Sequence, residues 1–153
     1  SNTIRLGNSS IGTIEGQVAF TTPSDARDKK NINDLADGLN IITNLRPVKY
    51  TWHTRDGGRI DIKDIGFIAQ EVDGVQFNAI DADYMNLVNY NSVTDGWRIT
   101  YAKFTPIIVK AIQEQQTIIE SQESKIQTLE STIETLQQQM QDLINRMIIM
   151  ENQ

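Results

Sequence analysis

The stretch from Thr105 to Met150 reads TPIIVKAIQEQQTIIESQESKIQTLESTIETLQQQMQDLINRMIIM. Ile112, Ile119, Ile126, Ile133, Met140 and Met147 recur in it every seven residues. Three residues after each stand Gln115, Gln122, Leu129, Leu136, Leu143 and Met150. This is an a/d heptad pattern with no glycine inside it and one proline, Pro106, before its first repeat, and it predicts a coiled-coil helix. Thr105 is placed to cap that helix and Pro106 to occupy its first position. A helix from Pro106 to about Met150 is ~67 Å long at 1.5 Å per residue. A rod of that length cannot bury its apolar stripe alone, so the stripe predicts self-association. Ile at a with Leu at d favours two strands in simple peptides, but the early d positions are Gln and the late a positions Met. The heptads therefore leave dimer and trimer both open.

All nine glycines of the 153 residues lie at or before Gly96. That asymmetry predicts a turn-rich head ahead of the helical rod. Residues 3–20 carry short alternating runs, Ile4/Leu6 and Val18/Phe20, broken by Gly7, Gly12 and Gly16. They read as short strands at the end of a larger upstream structure. Asn33 or Asp34 is placed to cap a helix running to about Leu45, with Leu35, Leu39, Ile42 and Leu45 on one face and Pro47 as its stop. Val48–Thr54 reads as a strand, Asp56-Gly57-Gly58 as a hairpin turn and Arg59–Ile62 as the return strand. Ile65–Val72 reads as a short apolar helix. Met85–Val93 and Trp97–Tyr101 read as a second hairpin around Thr94-Asp95-Gly96. The fold class is thus α+β: a small mixed head with β-hairpins and short helices, then a long C-terminal helix. So small a head is marginal on its own, and support from the rod is expected.

Composition removes several kinds of chemistry. There is no cysteine, which excludes a disulfide framework and Cys-based zinc or iron–sulfur sites. The one histidine, His53, cannot form a multi-His metal site, and beside Trp52 in a strand it reads as structural. The formal net charge of −6 argues against nucleic acid as a partner. No apolar run approaches the ~18 residues of a membrane span, and no signal-peptide pattern opens the chain. Asp61, Asp64, Asp73, Asp81 and Asp83 lack the spacing of a calcium loop and read as solvated loop acids. Gly57-Gly58 reads as a turn, with no phosphate-cradling pattern around it. No cofactor or metal is expected.

One polar stretch remains, Ser24-Asp25-Ala26-Arg27-Asp28-Lys29-Lys30-Asn31-Ile32. Ser24 is a hydroxyl nucleophile in need of a base, and a lysine serves where its ammonium is desolvated. On one α-helix, residues five apart point ~140° from each other at ~100° per residue. On a turn leading out of an extended arm, Ser24 and Lys29 can meet. Serine and lysine are common residues, so the spacing alone favours a capping serine and solvated lysines.

The order of several separated motifs carries more. SDARDKKNI is followed by the leucine-rich helix, then RPVKYTW, IGFIAQEV and YAKFTPIIVKAIQEQ. This succession, from about Ser24 to the end of the chain, resembles the C-terminal intramolecular chaperone and autoprotease domain of phage tail spikes and tail fibres, the endosialidase type. The same domain occurs in the myelin regulatory factor of animals. The resemblance implies a parallel homotrimeric coiled coil with Ile112, Ile119, Ile126, Leu129, Ile133, Leu136, Met140, Leu143 and Met147 in its seam. It implies residues 1–23 as the end of an upstream β-rich stalk, 24–104 as the chaperone and autoprotease head, and 105–153 as the trimerisation helix. It implies a chaperone that aligns three chains while their stalk folds and then releases itself. Ser24 is the implied nucleophile, Lys29 the general base, Pro23–Ser24 the scissile bond, and Asp25 an orienting residue. The enzyme so implied is a self-cleaving serine endopeptidase acting once, in cis. Its partners are two further copies and the stalk of its own chain, with neither nucleic acid nor membrane. Its place is the host cytoplasm during phage assembly, the fibre ending on the virion tail. The alternative is a structural trimerisation module in which Ser24 and Lys29 have no chemical task.

Overall fold

The computed structural model describes residues 4, 6, 11, 13–92 and 96–152. Among the described residues before Ser24 none lies in a strand, and Val18 and Phe20 are exposed. Among the described residues neither sheet pairs with this segment, and a strand without a paired neighbour is not stable in water. Gly7 and Gly12 lie outside the described residues.

The first α-helix of the head is short, α1 (Leu39–Asn44), with its cap position at Gly38, five residues after Asn33 and four after Asp34. The reason is a long-range contact. The N–H groups of Gly38 and Leu39 both donate to Glu114 Oε2, at 3.2 and 2.7 Å. A carboxylate from the rod thus satisfies the open N-terminus of α1 and fixes where it starts. Gly38 is required at this junction. A Cβ there would stand 2.4 Å from the Ala111 backbone nitrogen.

Strands β1 (Val48–His53) and β2 (Ile60–Gly66) form the first hairpin, antiparallel with Val48 opposite Gly66. Its turn holds Gly57 at φ +72°, which favours glycine, and Asp56 Oδ1 accepts the Gly58 N–H at 3.0 Å. Alternate residues of β1 turn inward, and Tyr50 and Trp52 meet edge to face at 5.1 Å. Trp52 Nε1 donates to Asp64 Oδ2 at 3.0 Å, and the Arg59 guanidinium lies over the indole at 4.4 Å.

Helix α2 (Ala69–Phe77) replaces the helix expected at Ile65–Val72. Ile65 and Gly66 are held in the ladder opposite Lys49 and Val48, so the helix starts only after Ile68. Arg46 grips Glu71 of α2 through two parallel hydrogen bonds, with Nε to Oε2 at 3.0 Å and Nη2 to Oε1. A one-turn helix, α3 (Ala82–Met85), follows where the sequence shows no periodic signal. It ends at Asn86 in the left-handed region, φ 44°. The second hairpin pairs β3 (Val88–Asn91) with β4 (Gly96–Ile99), starting later than Met85 because α3 takes that residue. Thr94 and Asp95 of its turn lie outside the described residues.

A 3-10 turn at Tyr101–Lys103 leads into α4 (Phe104–Glu151), 48 residues and ~72 Å long. Lys103 holds the cap position, so Thr105 lies inside the helix instead of capping it. Pro106 stays within the first turn, where its missing N–H leaves no bond unmade. The first turns of α4 belong to the head. Phe104 and Ile107 join Ile41, Val72, Ala79, Met85 and Leu87 in one buried cluster. Phe67 stacks on Phe104 at 5.4 Å. Beyond Ala111 the rod has no buried residue, and its apolar seam faces outward. The structure is therefore a mixed head of two hairpins and short helices, followed by one long C-terminal helix.

Candidate active site

Ser24 lies in an exposed segment that is neither helix nor strand. Asp25 follows, extended at φ −70°, ψ 136°, then Ala26–Asp28 make one 3-10 turn, and Lys29 is extended again at φ −118°, ψ 148°. The chain doubles back across this single turn. Lys29 Nζ donates to Ser24 Oγ at 2.6 Å and lies 3.4 Å from the Ser24 carbonyl oxygen. A continuous α-helix would have turned the two side chains apart. Both residues are exposed, as is Pro23 just before them.

Asp25 is the half-buried member of the turn. Its Oδ1 accepts the Arg27 backbone N–H at 2.9 Å, capping the turn. The same carboxylate takes the Arg27 fork, with Nε to Oδ1 at 3.0 Å and Nη2 to Oδ2 at 2.6 Å. The guanidinium contact, and after it the Arg27 backbone N–H, hold the Asp25 carboxyl below the usual carboxylate range.

The other candidates separate into distinct places. His53 is exposed at the end of β1, opposite Ile60. Asp64 and Asp81 are not free loop acids. Asp64 accepts from Trp52, and Asp81 Oδ2 accepts the Ala36 N–H at 2.7 Å. Among the described residues no cluster of His, Asp and Glu is arranged to hold a metal ion, and no helix is long and apolar enough to cross a membrane. An open groove of about 880 Å³ lies between the two hairpins, lined by Trp52, His53, Trp97, Arg98 and Tyr101 among others, with neither Ser24 nor Lys29 in its wall. The seam residues Ile112, Ile119, Ile126, Leu129, Ile133, Leu136, Met140, Leu143 and Met147 are all exposed along α4, from 39% at Ile119 to 62% at Met140.

Two residues of consequence carry no sequence signal of their role. Glu114 falls on the outer side of the heptad and reads as a solvated charge, yet it caps α1. Arg27 reads as one more charge in a polar run. Its spacing of two from Asp25 is the only hint of their pairing.

No curated protein matches the chain. Residues 24–81, opening at the serine that Lys29 contacts, match the family described as chaperone of endosialidase, which is also designated a peptidase family.

Proposed function

We propose that this protein is a self-releasing trimerisation chaperone of a phage tail fibre or spike. The reading is carried by one observation: Lys29 Nζ stands 2.6 Å from Ser24 Oγ, at the first residue of the matched segment. The unprotonated amine of Lys29 takes the Ser24 hydroxyl proton as Oγ attacks the Pro23 carbonyl carbon. The Pro23–Ser24 C–N bond breaks, and the proton passes to the Ser24 nitrogen. Pro23 is then held as an ester on Ser24 Oγ. Water hydrolyses the ester and frees the Pro23 carboxylate. No substrate pocket is needed, because the reacting carbonyl belongs to the residue next to the nucleophile.

Exposure in the single chain supplies the gate. A lysine acting as general base must be desolvated. Neighbouring copies cover the turn on assembly, so cutting follows trimer formation. The outward seam of α4 supports assembly, since so long an apolar stripe needs partners. The e and g positions support a parallel, in-register rod. Lys125 faces Glu130 of the next copy, and Arg146 faces Glu151. Residues 1–23 form the stalk end, 24–104 the head and 105–153 the trimerisation helix. The fibre goes to the virion tail, and the chaperone is left in the host cytoplasm. Release makes the stalk's folding one-way, so its stability becomes kinetic.

Intact mass of the purified chain tests the reading. Wild type gives a fragment starting at Ser24 and a 23-residue remainder, while Ser24→Ala and Lys29→Ala stay whole. A wild-type trimer that never cuts leaves the structural trimerisation module standing instead.

A further inference from the structure

The turn that joins Ser24 to Lys29 has little to hold it. Two backbone bonds close it, Asp28 N–H to the Asp25 carbonyl at 3.2 Å and Lys29 N–H to the Ala26 carbonyl at 3.1 Å. A three-residue 3-10 turn with exposed flanks is weak by itself. The strongest contacts within it come from one carboxylate. Asp25 accepts the Arg27 backbone N–H and the Arg27 guanidinium together. We infer that Arg27, by holding the Asp25 carboxylate that the resemblance implies to be orienting, is a positioning residue that sets the approach of Lys29 to Ser24, an inference that rests on the Ser24–Lys29 reading above.

The pair acts in two ways. It fixes the turn's geometry, because the cap and the fork tie residue 25 to residue 27 at both backbone and side chain. It also occupies the carboxylate adjacent to Ser24. A free Asp25 carboxylate is a competing partner for the Lys29 amine, and a lysine paired to it is drawn away from the hydroxyl. With both oxygens on Arg27, the Lys29 amine is left on Ser24 Oγ. Arg suits this task better than Lys, since its planar fork engages both oxygens at once.

The experiment follows the cleavage rate of the full chain and its sedimentation, in wild type, Asp25→Ala, Asp25→Asn, Arg27→Ala and Arg27→Lys, with Ser24→Ala as control. Asp25→Ala and Arg27→Ala are expected to assemble normally and to cut about 10²-fold more slowly, the scale of loss from a misplaced reacting group. Asp25→Asn keeps an oxygen on the Arg27 N–H and should regain most of the rate. Arg27→Lys should fall between. Wild-type rates in Asp25→Ala and Arg27→Ala overturn the inference and leave the Ser24–Lys29 reading intact. Loss of the trimer in parallel with the rate, or an Asp25→Asn as slow as Asp25→Ala, also overturns it by showing a merely structural role. Cutting by Ser24→Ala, or none by wild type, removes the reading on which it rests.

Discussion

Glu114 of the long helix accepts the backbone N–H of Leu39 at 2.7 Å, across 75 residues of sequence. One carboxylate therefore ties the rod to the first helix of the head, and Lys110 one turn earlier pairs with it at 3.5 Å. Glu114→Ala leaves the N–H groups of Gly38 and Leu39 without this acceptor. We expect those two amides to exchange hydrogen faster, while amides of β1 and β2 change little. Glu114→Gln keeps an oxygen for the cap and should sit between the two. Equal exchange at Leu39 in all three chains, measured by NMR or mass spectrometry, rejects the clamp.

Gly38→Ala tests the same junction by size. The added Cβ meets Ala111 N at 2.4 Å and Lys110 C at 2.8 Å, both backbone atoms that cannot rotate away. Either α1 backs off from α4 or the helix distorts, at about 1–3 kcal/mol or more. The head should melt at lower temperature by circular dichroism. Gly74→Ala is the control, with nothing within 4 Å of its Cβ and a helical position that favours alanine. A Gly38→Ala melt at or above wild type refutes the close approach.

Acid should loosen the head through several carboxylates at once. Glu114 is held below its ordinary value of 4.5, first by the Leu39 N–H, and Glu71 likewise, first by the Arg46 side chain. Asp64 is held below 3.8, first by the Trp52 indole N–H. Each is bound more tightly as an anion in the folded chain than in the unfolded one. As pH falls, the unfolded chain takes up protons first. Their contribution is complete above the ordinary values and is lost as pH drops through the depressed folded values. Glu71 is exposed and Asp64 and Glu114 are only half-buried, so the effect is modest and salt reduces it. Thermal melts should be flat from neutrality to about pH 5.5 and fall below that. Glu114→Gln with Asp64→Asn should flatten the acid limb. A limb unchanged in that double variant assigns it to other groups.

What the sequence revealed tracks how local each signal is. The long helix and its apolar stripe from Ile112 to Met147 are legible because a seven-residue repeat needs no knowledge of the rest of the fold. The Asp56-Gly57-Gly58 turn is legible for the same reason. The start of α1 is not, because Glu114 sets it from far along the chain. The start of α2 is not, because Ile65 and Gly66 suit a helix pattern by hydrophobicity but are taken by pairing with Lys49 and Val48. α3 is a single turn, too short for any periodicity to show. At the candidate site, residue types and spacing allowed Ser24 and Lys29 to meet, and the motif order singled them out. The fork between Asp25 and Arg27 depends on side-chain geometry that spacing does not encode.

Ile126→Asp with Ile133→Asp should separate the copies and stop cutting together. In a trimer each substitution places three carboxylates around one axis, where they repel and have no partner. Removing such charges from water costs several kcal/mol per ion, far above what a neighbouring Lys125–Glu130 pair returns at the surface. The head should survive, because the α4 residues buried in its core, Phe104, Ile107 and Ala111, all lie well before the substituted positions. Sedimentation should therefore report a folded monomer, and intact mass an uncut chain. Ile126→Leu with Ile133→Leu keeps the seam apolar and should retain both assembly and cleavage. The decisive outcome is a proven monomer that cuts at the wild-type rate. Ser24 and Lys29 would then need no neighbour to leave water, and the link between assembly and release would fail even with the dyad intact.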